Sequence, residues 1–535
     1  MKENQKKSNR IVKSVVAVGM LVSACCMYGG IKILARQEGT PQTTDAYMVL
    51  QNVAYVLLVL LLGYISYMVL FYHKSPVLLQ NLYLVMGLTL GFVYLLCIPI
   101  KAVPDEEVHI FTAYDVSDSL MGTHSDTVVM RQTDWNHVYN NKDLVREDFN
   151  NQYEGMFHLT DDQSLIKTHV QATQKPRYLY WFSALGITLG RLLALSTTLT
   201  YLLGRLFNML VFVAAVYYSI KRMPFGKGII LVWALLPMTL QQASSFSYDA
   251  PLLAMSCLLT ATTMSAAYAT ETNKNAAIMN NIILVISCLL LIPCKGFALL
   301  PLAAFPLMVL PRIYQLYEDE IQAIKDKTKP WMKIVMIGVL CVCIAGVGVF
   351  IAHKVQIWLK PENMDGSFVS WAQEQGFSIG YFIKNPASLF ELVLNTLWYR
   401  ADMYLQGMLG GSLGWGDIEI PQVFYIAFLI LLLYVSMRKE NEKQLVKNGQ
   451  RVWMVLVFVG TTFLAILAML LYWTPRTSPV VEGMQGRYML PALVVGLCAL
   501  RTEKNSVSRN ADQYAALWVA FLQVFVVTAI FRNIP

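Results

Sequence analysis

Apolar runs long enough to cross a bilayer recur along almost the whole chain, and short polar loops separate them. A helical span needs about 20 mostly apolar residues. About thirteen segments fit: 11–33, 48–72, 78–100, 199–219, 227–244, 250–270, 277–293, 297–311, 333–353, 421–437, 452–473, 488–501 and 513–531. Segments 297–311 and 488–501 are short, and tilted or re-entrant pieces would also satisfy them. The pattern predicts an all-α polytopic membrane protein, a bundle of about thirteen transmembrane helices.

Three stretches interrupt the pattern. Residues 101–175 are polar and net acidic, and they hold five of the seven histidines. A polar loop of that length is uncommon without a function. Directly after it, 176–195 is apolar on alternate turns, with Tyr178, Tyr180, Trp181 and Arg191, which predicts a helix lying in the headgroup plane. The second polar region, 354–421, contains an amphipathic stretch, 386–409, and a glycine-rich turn, 410–417. The third is the short segment 474–487. Residues 318–333 form a charged linker, expected to be solvated.

Charge orients the bundle. The basic residues are dispersed over short loops, and in the thirteen-span reading those loops all fall on one side. The positive-inside rule makes that side cytoplasmic, so the amino terminus is inside and Pro535 outside. Both polar loop regions are then extracytoplasmic. A net charge of +8 spread in this way does not suggest nucleic acid as a partner. Only 14% of residues are charged, against roughly 25% in soluble domains, so lipid solvates most of the chain. All nine cysteines lie in or beside apolar segments, which argues against a disulfide framework or a thiolate zinc site. Val22-Ser23-Ala24-Cys25 has the look of a lipoprotein signal, but an ordinary first span is the expectation.

Several side chains stand out at the outer ends of spans. Pro104-Asp105-Glu106-Glu107-Val108-His109 places three carboxylates and a histidine at the mouth of the 78–100 span. Insertion does not need acids there, and drawing them into lipid costs free energy. Asp105 and Glu106 could divide the roles of general base and orienting group or metal ligand, with His109 about one turn on to assist. The tentative metal is a divalent cation, magnesium or manganese, on Asp105 and Glu106. The competing reading is an acidic edge that keeps the helix end out of lipid. Arg487 opens an apolar segment, where an arginine is costly unless it meets an anion or snorkels. Its fork suits a phosphate. Lys295, on the outer side, runs against positive-inside statistics and is a second candidate phosphate contact. Tyr248 and Asp249 open the 250–270 span, where capping competes with a substrate role. Trp371, Trp398 and Trp415 suit sugar stacking or the membrane interface. The chain has no phosphate-binding loop with a lysine-serine/threonine end and no His-Glu-x-x-His. ATP-driven transport and zinc proteolysis lose ground accordingly.

Four places together resemble domain-of-unknown-function family 2142, a bacterial membrane-protein family regarded as related to the GT-C glycosyltransferases. They are Val103-Pro104-Asp105-Glu106-Glu107-Val108-His109 with Ala113-Tyr114; Lys295-Gly296; Gly411-Ser412-Leu413-Gly414-Trp415-Gly416-Asp417 with Pro421; and Gln485-Gly486-Arg487-Tyr488-Met489-Leu490-Pro491. Two spans precede the acidic motif here, where the family usually has one. The resemblance implies a GT-C-like core over 76–500, flanked by two helices in 1–75 and one in 501–535. It implies transfer of a sugar from a polyprenyl-phosphate donor to a glycan, lipid or protein acceptor at the outer face of a bacterial plasma membrane. Asp105 would be the base, with Glu106 and His109 beside it and Arg487 and Lys295 on the departing phosphate. Tyr248, Asp249, Trp415, Asp417, Gln485 and Tyr488 would contact substrate. The rival readings are a flippase or transporter, or a polymerase or ligase, of lipid-linked glycans, and a non-catalytic assembly protein that retains the fold.

Overall fold

The computed structural model describes the chain except for residues 1, 38–44, 73–75, 141–144, 154, 158, 160–161, 269–273, most of 317–352, 358, 361–364, 441, 443–445, 503–505 and 535. It is mostly helical. Among the described residues, seven helices are long and apolar enough to cross a membrane: Asn9–Ile33, Ala46–Phe71, Leu79–Cys97, Thr197–Arg222, Asp249–Tyr268, Asn448–Tyr472 and Ala511–Arg532. Three shorter apolar helices accompany them: Asn275–Leu291, Gln422–Ser436 and Gly486–Cys498.

The expected thirteen spans are therefore not thirteen continuous helices. Segment 227–244 is split into Lys227–Ala234 and Pro237–Ala243. Pro237 has no N–H to give and its ring clashes with the preceding turn. Segment 297–311 carries Pro301, Pro306 and Pro311 and breaks into short 3-10 and α pieces for the same reason. The expected span 333–353 and most of the 318–333 linker lie outside the described residues.

The elements used below are α1 (Lys2–Gln37), α2 (Ala46–Ser66), α3 (Leu79–Cys97), α4 (Glu106–Met121), α5 (Trp181–Leu192), α6 (Thr197–Arg222) and α7 (Asp249–Tyr268). They continue with α8 (Lys274–Leu291), α9 (Pro386–Leu409), α10 (Gln422–Ser436), α11 (Asn448–Tyr472), α12 (Leu490–Cys498) and α13 (Ala511–Arg532).

Contacts sort the loops into two ends of one bundle. At the first end, Tyr47 at the start of α2 donates to the Phe531 carbonyl at the end of α13, 2.7 Å. Asn533 reaches the Glu419 carbonyl, 3.1 Å, and Arg205 in α6 reaches the carbonyls that follow α3. At the second end, Arg222 closing α6 donates to Ala276 near the start of α8. Lys439 pairs with Asp512, Arg501 pairs with Glu442, and Arg451 donates to the Ala499 and Arg501 carbonyls. The second end is thus the basic one.

The first end carries the polar loops, whose described residues are folded. An antiparallel hairpin pairs β1 (Val129–Arg131) with β2 (Leu165–Lys167). The buried pair Arg131–Asp134, 2.7 Å, docks this loop on α6, because Thr197 donates to Asp134 and Arg131 to the Leu195 carbonyl. Stretch 176–195 becomes a 3-10 turn, Arg177–Tyr180, followed by α5. Gly186 and Gly190 let α6 approach closely: a Cβ on Gly186 would stand 2.4 Å from the Leu203 carbonyl oxygen. The opposite side of α5 exposes Trp181, Leu185, Leu189 and Leu192. In the second polar region, a hairpin pairs β3 (Phe368–Val369) with β4 (Glu374–Gln375), and a second pairs β5 (Ser412–Leu413) with β6 (Ile418–Glu419). Between them lies α9, stopped by Gly410 in a left-handed conformation, φ 87°.

Candidate functional site

Pro99 and Pro104 end α3 and start the turn that holds the acidic motif. Asp105 sits at the start of α4 with left-handed torsions, φ 59° and ψ 14°. Aspartate tolerates that region better than most residues. The consequence is that Asp105 and Glu106 part company. Asp105 stays at the mouth of the bundle, its side chain 53% exposed. Glu106 turns inward and is fully buried.

Glu106 is committed there. Its carboxylate accepts from Arg205 Nε (2.8 Å) and Nη2 (2.5 Å), from the Lys101 amide (2.7 Å) and from the Phe246 amide (3.0 Å). Arg205 spends its remaining donors on the Ile98 and Pro99 carbonyls, 2.6 and 2.8 Å. With both oxygens saturated, Glu106 is neither a free base nor a free metal ligand, which corrects the expected pairing with Asp105. Among the described residues, no three His, Cys, Asp or Glu side chains converge on a point that could hold a metal ion. The donor set does not fit the divalent cation, and no step below passes through one.

Two cations converge on the buried Asp249, and one of them also faces the exposed Asp105. Gly486 leads into a 3-10 turn, Gly486–Met489, pressed against α9; a Cβ there would lie 2.1 Å from the Tyr404 carbonyl oxygen. The next residue, Arg487, is therefore driven into the interior. Its guanidinium lies 3.9 Å from Asp105 Oδ2 and 3.8 Å from Asp249 Oδ2. Both separations exceed a hydrogen bond, and its Nε is buried with no hydrogen-bond partner. Lys295, Gly296 and Phe297 are three successive left-handed residues after α8. That kink returns the Lys295 ammonium to Asp249, 2.8 Å, and over the rings of Tyr488 and Tyr248, 4.3 and 5.2 Å from their centroids. Burial works against the charged ammonium, but Asp249 and the two phenols outweigh it and hold its pKa above the ordinary lysine value.

An aromatic wall completes the site. His109 Nδ1 shares a 2.6 Å hydrogen bond with the Tyr180 hydroxyl and meets Tyr248 edge-on at 5.2 Å. Burial drives its pKa down to about 3 against the pull of Asp249. The imidazole is then neutral at pH 7. It packs into the wall as a neutral ring hydrogen-bonded to Tyr180. Gln485 holds the next turn through its carbonyl, which accepts from the Tyr488 amide at 3.1 Å. Trp415 and Asp417 are exposed at the tip of the β5–β6 hairpin. The Gly414 amide anchors that tip to Gln241 at 2.8 Å, and a Cβ on Gly414 would stand 3.3 Å from the Ala102 carbonyl oxygen. The tip thus abuts the acidic turn. No hydrogen bond or ion pair among the described residues joins Trp415 or Asp417 to Asp105, Asp249, Lys295 or Arg487.

Asp105, Asp249, Lys295, Arg487, Tyr248 and Tyr488 are therefore one cluster, assembled from four separate stretches of chain. Over residues 86–496 the chain matches the model of a family described as "Predicted membrane protein (DUF2142)". The chain belongs to this DUF2142 family. No curated protein matches it, and no solved structure does. The DUF2142 stretch begins inside α3 and closes inside α12, so the whole cluster falls within it, while α1, α2 and α13 fall outside.

Two members of this neighbourhood escaped the sequence reading. Arg205 carried a signal, because an arginine within an apolar span is costly unless paired. Tyr180 carried none beyond its place in an aromatic-rich helix start.

Proposed function

We propose that this chain is a membrane glycosyltransferase. It takes a sugar from a polyprenyl-phosphate donor and transfers it to a glycan, lipid or protein acceptor of the cell envelope. The observation that carries the proposal is a cluster at one end of a lipid-solvated bundle, in which buried Arg487 lies 3.9 Å from the exposed carboxylate of Asp105 and shares the buried Asp249 with Lys295. The basic second end is assigned to the cytoplasm by the positive-inside rule, which places the site at the extracytoplasmic face of a bacterial plasma membrane.

Asp105 takes the proton of the acceptor hydroxyl. The oxygen attacks the anomeric carbon, the bond from that carbon to the phosphate oxygen breaks, and the configuration inverts. The lipid phosphate leaves carrying the electron pair. Arg487 meets the charge that develops there with its unpartnered Nε, and Lys295 supports it from beside Asp249. Asp249 fixes both cations, so the site is organised before a substrate arrives. Trp415, exposed beside the 101–105 turn, is placed to stack on a sugar ring.

The test uses purified protein in lipid with radiolabelled polyprenyl-phosphate sugars, with and without divalent ions. The expected result is release of polyprenyl phosphate that requires Asp105 and persists in a chelator. No release from any monosaccharide donor, by folded protein that binds lipid-linked oligosaccharide, overturns the reading in favour of a ligase or flippase.

A further inference from the structure

Helix α9 has three faces. Leu392 and Thr396 point into the protein and are buried. Phe390, Leu394, Leu397, Trp398 and Ala401 are exposed, Trp398 to 84% and Phe390 to 72%. At 100° per residue these five fall within an arc of about 100°. Just beyond the edge of that arc, Glu391 and Asp402 are exposed too. The outward side of α9 therefore carries an apolar stripe flanked by Glu391 and Asp402, with Tyr399 exposed beyond them. Five exposed apolar side chains in one stripe form a contiguous patch that water solvates poorly.

The packing of α9 fixes its depth. Leu392 and Phe382 share a small core with Ala465, Ile466 and Leu470, which belong to the last two turns of α11. That helix is 25 residues of apolar span, and only 33% of its most apolar window is buried in protein. Its remaining surface faces lipid. Exposed aromatics mark where it leaves the hydrocarbon: Tyr472 and Trp473 at its end, and Trp371, whose Nε1 donates to the Trp473 carbonyl at 3.2 Å. The apolar stripe of α9 is thus continuous with a lipid-facing span, at the height of the span's final turns.

We propose that α9 lies in the plane of the membrane, embedded in the leaflet on the site's side, with its apolar stripe among lipid acyl chains and Glu391 and Asp402 toward the headgroups. The helix also bears on the site. Its C-terminal turns press on Gly486, and its middle is fastened to the segment before Arg487: Thr396 accepts from the Val481 amide at 2.8 Å, and Arg400 pairs with Glu482 at 3.1 Å. A membrane-seated strut therefore sets the position of Arg487. This inference does not depend on the reaction the site performs.

The test places the photoreactive residue benzoylphenylalanine at 394, 398, 391 or 402 of the full chain. Each variant is reconstituted in phosphatidylethanolamine–phosphatidylglycerol vesicles, and adducts are read by mass spectrometry. Positions 394 and 398 are expected to label acyl chains on the order of tenfold more than 391 and 402. Equal labelling from all four positions, or no acyl adducts, overturns the proposal. Cross-links between two copies through 394 or 398 also overturn it and make this face a dimer interface. If either label disturbs folding, Phe390→benzoylphenylalanine reads the same stripe.

Discussion

Removing one partner of the Glu106–Arg205 pair tests whether Glu106 is a structural acid. Both side chains are fully buried, so either single substitution leaves an uncompensated charge away from water. Breaking a buried pair from one side costs about 3–5 kcal/mol. Arg205→Met also strips donors from the Ile98 and Pro99 carbonyls, each about 1–3 kcal/mol if nothing replaces them. These terms overlap, so roughly 3 kcal/mol is a floor. Glu106→Gln keeps the shape and one acceptor but strands the guanidinium, and a similar loss is expected. The double variant removes both charges, so it should be less destabilised than the sum of the singles by about 2–3 kcal/mol. The assay is unfolding of protein in detergent micelles, followed by the fluorescence of its 11 tryptophans. Single losses below about 1 kcal/mol, or a double variant equal to the sum, refute the clamp.

Other consequences are open to measurement. Asp105→Asn should fold normally, because asparagine accepts the left-handed torsions at that position, yet lower sugar transfer by about 100- to 10,000-fold, read as polyprenyl phosphate released. Gly486→Ala forces a Cβ against the backbone of α9 and should cost about 1–3 kcal/mol of stability in the same unfolding assay. His109 binds its proton more weakly folded, at about 3, than unfolded, at about 6.5. The unfolded chain therefore takes up the proton first as pH falls. Stability from this group is complete above pH 6.5 and declines below it, by about 2 kcal/mol at pH 5. His109→Gln should lose that much less than wild type between pH 7.5 and pH 5, measured by melting in detergent.

The site was legible where the chain spent free energy without an evident structural return. Arg487 at a span start, Lys295 on the disfavoured side and Asp105 at a helix exit are each anomalous in lipid, and the structure joins them: Arg487 lies between Asp105 and Asp249, and Lys295 pairs with Asp249. What local sequence does not encode is how adjacent residues divide. The left-handed turn at Asp105 is a property of the fold, and it sent Glu106 to an arginine 99 positions away. The same limit applied to the spans. Hydropathy marked 227–244 and 297–311 as apolar, but the prolines within them decided that neither is one helix. Trp415 and Asp417 looked like substrate contacts by motif alone. The structure places them beside the acidic turn through Gly414, without joining them to the charged cluster.

The division of the two acids affects how variants must be read. Glu106 accepts the Lys101 amide at one side of the turn and the Phe246 amide across it. It thereby holds the segment that presents Asp105 to Arg487. Loss of transfer in Glu106→Gln is therefore expected through disturbance of this turn, and it should come with a parallel loss of stability. Asp105→Asn separates the two quantities, because the exposed carboxylate has no hydrogen bond of its own to lose in the turn. A Glu106→Gln protein as stable as wild type yet inactive would return Glu106 to the chemistry and refute the assignment of the base to Asp105 alone.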